Sequence, residues 1–328
     1  MKSGFGLLRS IRSGNEGSAA STKNKKLLYG YLCGVLSGVA YGTNPLFALP
    51  LLTDYRMPVD SVLLYRYGSA TICMLIYCLF RRTLRKIPLR QIWLLILIGV
   101  LFSLSSLFLF SSYRYIPSGI ATTIIYTEPV LVAIIMVVMK KYPTWQKWLA
   151  IVLSFVGVVF LCHPDDSAEY HWPGFLLAFL SALSYAFYLV IVNCSKRIGK
   201  ISASFLGLIT LAVGSILFFV QAVPHGIAPI TDWKEFGFVI GLGLVPTIGS
   251  LVTMTYATRM IGATTTAILG VMEPITAICI GVALFDEPLT VYIIVGFAIT
   301  ASAITFMTYT DKRKLTENTE HKQIISQE

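Results

Sequence analysis

Ten long apolar stretches run through this chain and leave little sequence for anything else. A helix needs about 20 apolar residues to cross the hydrocarbon core of a bilayer. We number the stretches as spans 1 to 10 in chain order, and they cover residues 27–50, 61–80, 91–113, 118–139, 145–162, 172–194, 202–222, 234–258, 263–285 and 289–309. Because backbone polar groups must pair with each other inside lipid, each span is predicted to be helical. The sequence therefore predicts an all-α, polytopic membrane protein with ten transmembrane helices.

The composition agrees with this fold class. Hydrophobic residues make up 55% of the 328 residues, and charged residues only 13%. Soluble domains carry about 25% charged residues, so these values favour a chain that lies mostly in lipid. We expect a polar N-terminal tail, a first five-span unit, a linker loop, a second five-span unit and a polar C-terminal tail, at residues 1–26, 27–162, 163–171, 172–309 and 310–328. Both tails are predicted to be solvated.

Basic and acidic residues alternate between the loops at the two ends of the spans. One set of loops and the two tails carry the basic residues Lys23, Lys25, Lys26, Arg81, Arg82, Arg85, Lys86, Arg90, Lys140, Lys141, Lys147, Lys196, Arg197, Lys200, Arg259, Lys312, Arg313 and Lys314. The other set carries the acidic residues Asp54, Asp60, Asp165, Asp166, Glu169, Asp232, Glu235, Asp286 and Glu287. Short cytoplasmic loops are enriched in Lys and Arg. The pattern predicts a multi-pass protein of the cytoplasmic (inner) membrane with both termini in the cytoplasm.

The net charge of +10 is explained by this orientation signal. A nucleic-acid-binding protein concentrates its basic residues in one patch or stripe, whereas here they are distributed over alternate loops. We therefore expect the lipid bilayer and a small-molecule substrate as partners, and no nucleic acid.

The two halves of the chain align with each other at an offset of 144 or 145 residues. Span 1 has a small residue at every fourth position, and span 6 repeats the spacing: Gly30, Gly34, Gly38 and Gly42 align with Gly174, Ala178, Ala182 and Ala186. Such a stripe lets another helix approach closely. The segment from Arg114 to Pro129 also aligns with the segment from Arg259 to Pro274. Since five spans per half is an odd number, the second half enters the membrane from the opposite side, which predicts two inverted five-helix repeats.

Each repeat carries a glutamate followed by a proline near the middle of a span. Glu128 lies in span 4 and Glu273 in span 9. A carboxylate at this depth costs about 2.5–3.5 kcal/mol on insertion scales, so it usually faces a cavity or a partner. One interpretation is a pair of cavity carboxylates that bind a cationic substrate group or take up a proton. The other is that each carboxylate bonds backbone groups freed by the proline kink. The two interpretations are compatible.

Other polar residues within the spans are candidates for the same site. Arg66 in span 2 either extends outward as an anchor or faces the cavity and pairs with Glu128 or a substrate carboxylate. Asn44 in span 1 and the Pro246–Ser250 segment in span 8 interrupt apolar runs, either as discontinuous helices or as ordinary kinks. Tyrosines within the spans form aromatic walls or pack in the bundle. The predicted substrate-binding residues are Tyr41, Asn44, Arg66, Tyr126, Glu128, Tyr185, Tyr188, Ser250 and Glu273.

Motifs for catalysis, ATP hydrolysis and metal binding are absent from the sequence. It contains no GxxxxGK[ST], HExxH or GxSxG pattern. The cysteines lie in apolar segments without metal-ligand spacing, and the histidines lie in loops or the tail. We therefore predict no catalytic residue, no metal and no cofactor. An intramembrane enzyme is the least supported class, and a channel would need a selectivity filter that the sequence does not show.

The spans resemble the drug/metabolite transporter superfamily, in particular its ten-helix EamA-type branch. The resemblance rests on Gly34-x-x-Ser37-x-x-x-Tyr41-Gly42, Leu64–Tyr67, Tyr113–Ile116, Ser181–Ala186, Ala263–Pro274, the two Glu-Pro pairs and Leu284–Thr290. It covers residues 27–309. Asp286 stands where the family pattern has glycine, and the segment Lys140–Thr144 departs from that pattern in the first half.

This resemblance implies a secondary active transporter. Its expected activity is export of a small metabolite, such as an amino acid or a related compound, by alternating access. A multidrug, nucleoside or other metabolite permease of the same fold is the alternative, because related chains move all these classes.

Overall fold

The computed structural model describes residues 25–84, 88–112, 115–116, 121, 124–161, 171–284 and 291–325. Every regular element in these ranges is a helix, which confirms the predicted all-α class. Within the same ranges, seven helices are long and apolar enough to cross a bilayer: Lys25–Leu52, Val59–Phe80, Gln91–Ser112, Trp172–Cys194, Ala203–Ala222, Trp233–Ile261 and Ala263–Leu284. Three further apolar helices are shorter: Glu128–Val138, Trp145–Phe160 and Ile294–Thr310. Together they account for the ten predicted spans.

Spans 2, 3, 6 and 7 are unbroken helices, at Val59–Phe80, Leu89–Ser112, Trp172–Cys194 and Ala203–Ala222. Local sequence signals start two of them. Pro173 occupies the first turn of span 6, where the missing N–H breaks no helical hydrogen bond. The Ser202 hydroxyl caps span 7 by accepting a hydrogen bond from the backbone N–H of Phe205 at 3.3 Å.

Spans 1, 4, 8 and 9 change geometry along their length. Span 1 is a helix over residues 25–42, then a turn at Thr43, then the helix Asn44–Thr53. Span 8 consists of Trp233–Leu242, a π-helical turn at Gly243–Gly249, and Ser250–Ile261. Span 9 is broken between Ala263–Leu269 and Met272–Leu284. In span 4, a turn at residues 126–127 precedes the helix Glu128–Val138.

Spans 5 and 10, at Trp145–Leu161 and Val291–Ile325, pack along each other. The last helix continues well beyond the apolar segment that ends at residue 309. The segment 310–328, predicted as a solvated tail, is therefore helical as far as Ile325.

The outer surface of the bundle is apolar. Phe80 and Trp233 are each 85% exposed. Trp93, Trp145 and Trp172 are also exposed and lie near helix ends. Tryptophan at the ends of apolar helices is typical of the boundary between lipid and water.

The packing of the spans is symmetric between the two halves of the chain. Spans 2 and 7, spans 4 and 9, and spans 5 and 10 hold equivalent places in the repeats, and each pair is in contact. Contacts of span 3 with spans 6 and 7 are matched by contacts of span 8 with spans 1 and 2. The bundle is therefore built of two inverted five-helix repeats, as predicted.

The same symmetry holds at single hydrogen bonds. The Ser37 hydroxyl donates to the backbone oxygen of Ser250 at 3.0 Å. Ser181 and Ser105, which align with Ser37 and Ser250, form the equivalent bond at 2.7 Å. Each bond joins the two repeats. The first connects span 1 to span 8, and the equivalent bond connects span 6 to span 3.

The small-residue stripe of span 1 faces the other repeat. A Cβ atom placed on Gly38 would lie 2.7 Å from the Cβ of Met272 and 3.1 Å from the backbone oxygen of Leu269. Real Cβ atoms do not approach neighbours this closely, so the glycine allows spans 1 and 9 to pack backbone against side chain.

Gly38→Ala tests this contact. Alanine is about 1 kcal/mol better than glycine inside a helix, but overpacking of a tight contact costs about 1–3 kcal/mol. We expect the thermal unfolding midpoint in detergent to fall. Gly68→Ala is the matched control, because in the described part of the chain no atom lies within 4 Å of a Cβ placed there. A Gly38→Ala protein as stable as the control would contradict the close packing.

Candidate functional site

A cavity lies between the two repeats, walled by spans 1, 4, 6, 8 and 9. Six of the nine predicted binding residues line it: Tyr41, Tyr126, Glu128, Tyr185, Ser250 and Glu273. Its volume is about 40 Å³, measured as the space open to the centre of a water-sized sphere. A water molecule needs about 10–15 Å³ on this measure. The cavity therefore has room for a few waters, and a metabolite enters only if the spans move apart.

The two carboxylates reach the cavity because spans 4 and 9 are broken beside them. Glu128 is the first residue of the helix Glu128–Val138, and Glu273 lies in the first turn of Met272–Leu284. The N-terminal end of a helix carries unpaired N–H groups and a positive partial charge, which favour a carboxylate. Both side chains are partly accessible, and both face the same cavity.

A hydrogen bond connects the two helix breaks. The Tyr126 hydroxyl, just before Glu128, donates to the backbone oxygen of Gly270. Gly270 lies in the turn that precedes Glu273. The breaks in spans 4 and 9 therefore touch across the interface of the repeats and hold the two carboxylates at one site.

Glu128 is incompletely paired. Among the described residues, its buried oxygen Oε1 has no hydrogen-bond partner. The predicted structural use of the glutamates, bonding to backbone groups freed by the proline, therefore leaves at least this oxygen available for a proton or a ligand.

Arg66 lies behind Tyr41 and does not extend to the membrane surface. Its side chain is 1% exposed, and its guanidinium carbon lies 5.3 Å from the centre of the Tyr41 ring. Its Nε donates to the Thr247 hydroxyl at 2.8 Å. The anchor interpretation of Arg66 is therefore wrong. Arg66 turns toward the cavity side of span 2 but is separated from the cavity by the tyrosine ring.

Tyr188 and Asn44 do not line the cavity. Tyr188 is fully buried, and its ring stacks on that of Tyr185 with centroids 5.9 Å apart. It supports the tyrosine that faces the cavity. Asn44 starts the second helix of span 1, and its Oδ1 is buried without a hydrogen-bond partner among the described residues.

The interruption predicted in span 8 is a π-helical turn. Pro246 lacks an N–H, and the wider turn at Gly243–Gly249 accommodates it without unwinding the helix. The Thr247 hydroxyl donates to the backbone oxygen of Leu242 at 2.7 Å while it accepts from Arg66. The turn therefore places a hydroxyl beside Arg66, and the helix breaks that precede the two glutamates lie in spans 4 and 9.

Several cavity residues escaped the sequence analysis as site residues, namely Ser37, Leu189, Met254 and Thr266. Ser37 belongs to a quoted motif and aligns with Ser181, which is the signal that could have identified it. Met254 and Thr266 carry no such signal, because methionine and threonine are ordinary in apolar helices. In the described ranges, no three His, Cys, Asp or Glu side chains are grouped to hold a metal ion.

The fold and the cavity define the chain as a multi-pass membrane protein of the transporter class. A model of the EamA-like transporter family matches residues 28–162 and again residues 172–309. The chain belongs to this family, and each match covers one five-span repeat.

Relatives agree with this assignment. Over 225 residues the chain is 28% identical to an uncharacterized transporter of Synechocystis sp., covering 66% of this chain and 67% of the relative. It is 23% identical to the uncharacterized transporter YdfC of Bacillus subtilis over 263 residues, which are 78% of this chain and 83% of the relative. A crystal structure shares the fold with a TM-score of 0.73 at 16% identity, over 87% of this chain and 98% of the other.

Thr247→Val tests the support of Arg66. The change removes the hydroxyl acceptor but keeps the side-chain shape, and a buried charged donor without its partner costs about 1–3 kcal/mol. We expect a lower thermal unfolding midpoint. Thr247→Ser keeps the hydroxyl and should unfold near the wild-type temperature. Equal midpoints for the two variants would show that the hydrogen bond contributes little.

Proposed function

We propose that this transporter is a secondary active exporter of a small metabolite, such as an amino acid or a related compound, and works by alternating access. The observation that carries the proposal is the single cavity that holds Glu128 and Glu273, one carboxyl from each repeat. Inverted repeats bind substrates at their interface and expose the site to each side by rocking against each other.

The packing around the cavity supports such a movement. The repeats meet through small residues and serine pairs, such as Gly38 against Met272 and Ser37 against Ser250. Small-residue contacts of this type give span 1 a smooth face along which the other repeat can shift, whereas aromatic rings such as Phe102 and Tyr188 pack across the repeats elsewhere. The small volume of the cavity fits a closed state between the two open ones.

The carboxyl pair supports coupling to protons. A buried carboxylate oxygen without a partner is costly, so Oε1 of Glu128 favours a proton or a positively charged group. If a proton and a positively charged substrate exchange on the carboxyl pair during the cycle, the inward flow of protons drives the outward flow of substrate.

Three tyrosine rings at the cavity favour the alternative of a drug or nucleoside permease, since flat ring systems stack on aromatic walls.

Transport into proteoliposomes tests the proposal. Wild-type protein should move at least one compound of a radiolabelled panel of amino acids, nucleosides and cationic drugs, and a pH gradient should change the rate. Glu128→Gln and Glu273→Gln should each lower transport at least about tenfold, equivalent to about 1.4 kcal/mol. Asp54→Asn, a carboxylate on an exposed turn, is the matched control. Undiminished transport by both glutamine variants would contradict the role of the cavity.

The orientation is a separate proposal, based on the distribution of Lys and Arg. We place both termini in the cytoplasm and the linker 163–171 on the opposite side of the membrane. A fluorescent protein fused to the C-terminus should fold and fluoresce, and alkaline phosphatase inserted into the linker should be active. The reverse pair of results would overturn this orientation.

A further inference from the structure

The charged groups around the cavity do not balance. Among the described residues, the carboxyls that line it are Glu128 and Glu273, and the guanidinium of Arg66 lies beside the Tyr41 ring. The charges of Arg66 and Glu273 act on each other, as do those of the two glutamates. Tyrosines 41, 126 and 185 also line the cavity and are neutral near pH 7. When both carboxyls are ionised, two carboxylates and one guanidinium leave one net negative charge.

Arg66 is held so that it balances charge without offering itself to a substrate. The Nε of Arg66 donates a hydrogen bond to the Thr247 hydroxyl, and the guanidinium lies over the Tyr41 ring. The Arg66 side chain is 1% exposed. Its Nη1 is buried without a hydrogen-bond partner among the described residues. Arg66 does not line the cavity, so it acts as an internal counter-charge, and its guanidinium does not supply the hydrogen bonds that a substrate carboxylate would need.

Several hydroxyl donors of the cavity wall are engaged within the protein. The Tyr126 hydroxyl donates to the Gly270 backbone, and the Tyr185 hydroxyl donates to the Met254 sulfur. The Ser37 hydroxyl donates to the Ser250 backbone oxygen. A substrate carboxylate buried here would find few donors, and burying an unpaired carboxylate is costly. An ammonium group would meet two carboxylates and three tyrosine side chains, whose rings attract cations.

We propose that the cavity selects substrates with one positive charge and no compensating negative charge, such as protonated amines or quaternary ammonium compounds, and that Arg66 sets this valence. The proposal rests on the function proposed above. It narrows the substrate class from small metabolites in general to amines that carry no carboxylate. A net charge in a site surrounded by lipid is costly, so the preferred ligand is the one that brings the total to zero. One proton satisfies the same requirement, so a proton and a monovalent amine compete for the site.

Binding of matched ligands to purified protein in lipid nanodiscs tests the rule. The probes share a phenyl body: phenethylammonium, phenylalanine, 3-phenylpropionate and the dication of 1,4-bis(aminomethyl)benzene. We expect wild-type protein to bind the monocation at least about tenfold more tightly than each of the others. Tighter binding of phenylalanine, or no binding of the monocation, would overturn the proposal.

Two variants should change the preferred valence. Glu273→Gln brings the site to neutrality, so binding of phenethylammonium should weaken at least about tenfold, whereas phenylalanine should be affected little. Arg66→Gln leaves two negative charges, so the dication should become the tightest ligand. If Arg66 only supports the fold, Arg66→Gln would weaken all ligands alike, and the valence rule would be wrong.

A measurement on wild-type protein avoids any failure of the variants to fold. Phenyltrimethylammonium keeps its charge at every pH, so its affinity reports only the site. Competition with protons predicts weaker binding at about pH 5 than at about pH 8, with protons released on binding. An affinity independent of pH would overturn the proposal. Transport of zwitterions alone, dependent on the glutamates, would refute the valence rule but leave the proposed export function intact. Binding of amines without transport of any compound would refute the export function but leave the valence rule intact.

Discussion

A carboxyl group in the apolar middle of a bilayer has to face a partner or a polar cavity, and this chain places one such group in each of its two repeats. The helix breaks and the close packing around the cavity serve to place both carboxyl groups at one site. Spans 4 and 9 break so that Glu128 and Glu273 start helices at one cavity, and Tyr126 joins the two breaks through Gly270. The small residues of span 1 then let the repeats close around the site.

Symmetry explains why the site is shared and also where it is asymmetric. The serine pairs occur twice, once at Ser37 and Ser250 and once at Ser181 and Ser105, yet only the first pair lies at the cavity. Arg66 likewise has no charged equivalent, since Thr210 occupies the aligned position in span 7. A duplicated frame thus carries two acidic residues at the cavity and one basic residue behind Tyr41.

Much of this was predictable from sequence, because lipid imposes strong rules. Span length, the Glu-Pro repeat and the small-residue stripe determine the ten helices, their pairing and the meeting of the two carboxylates. The position of each helix break was not predictable, since proline at 246 produces a π-helical turn whereas the breaks at 126–127 and 270–271 precede the other prolines. Whether Arg66 turns inward depends on Thr247 and Tyr41, which are distant in sequence from each other. The helical continuation to Ile325 also gave no apolar signal.

Alternating access requires the cavity between the repeats to open in turn to each side of the membrane. Thr266→Cys in a protein without other cysteines places a thiol in the cavity wall. A membrane-impermeant thiol reagent should label this cysteine in right-side-out and in inside-out vesicles, and a transported substrate should slow labelling from both sides. Labelling from one side only, under all substrate and pH conditions, would contradict alternating access through this cavity.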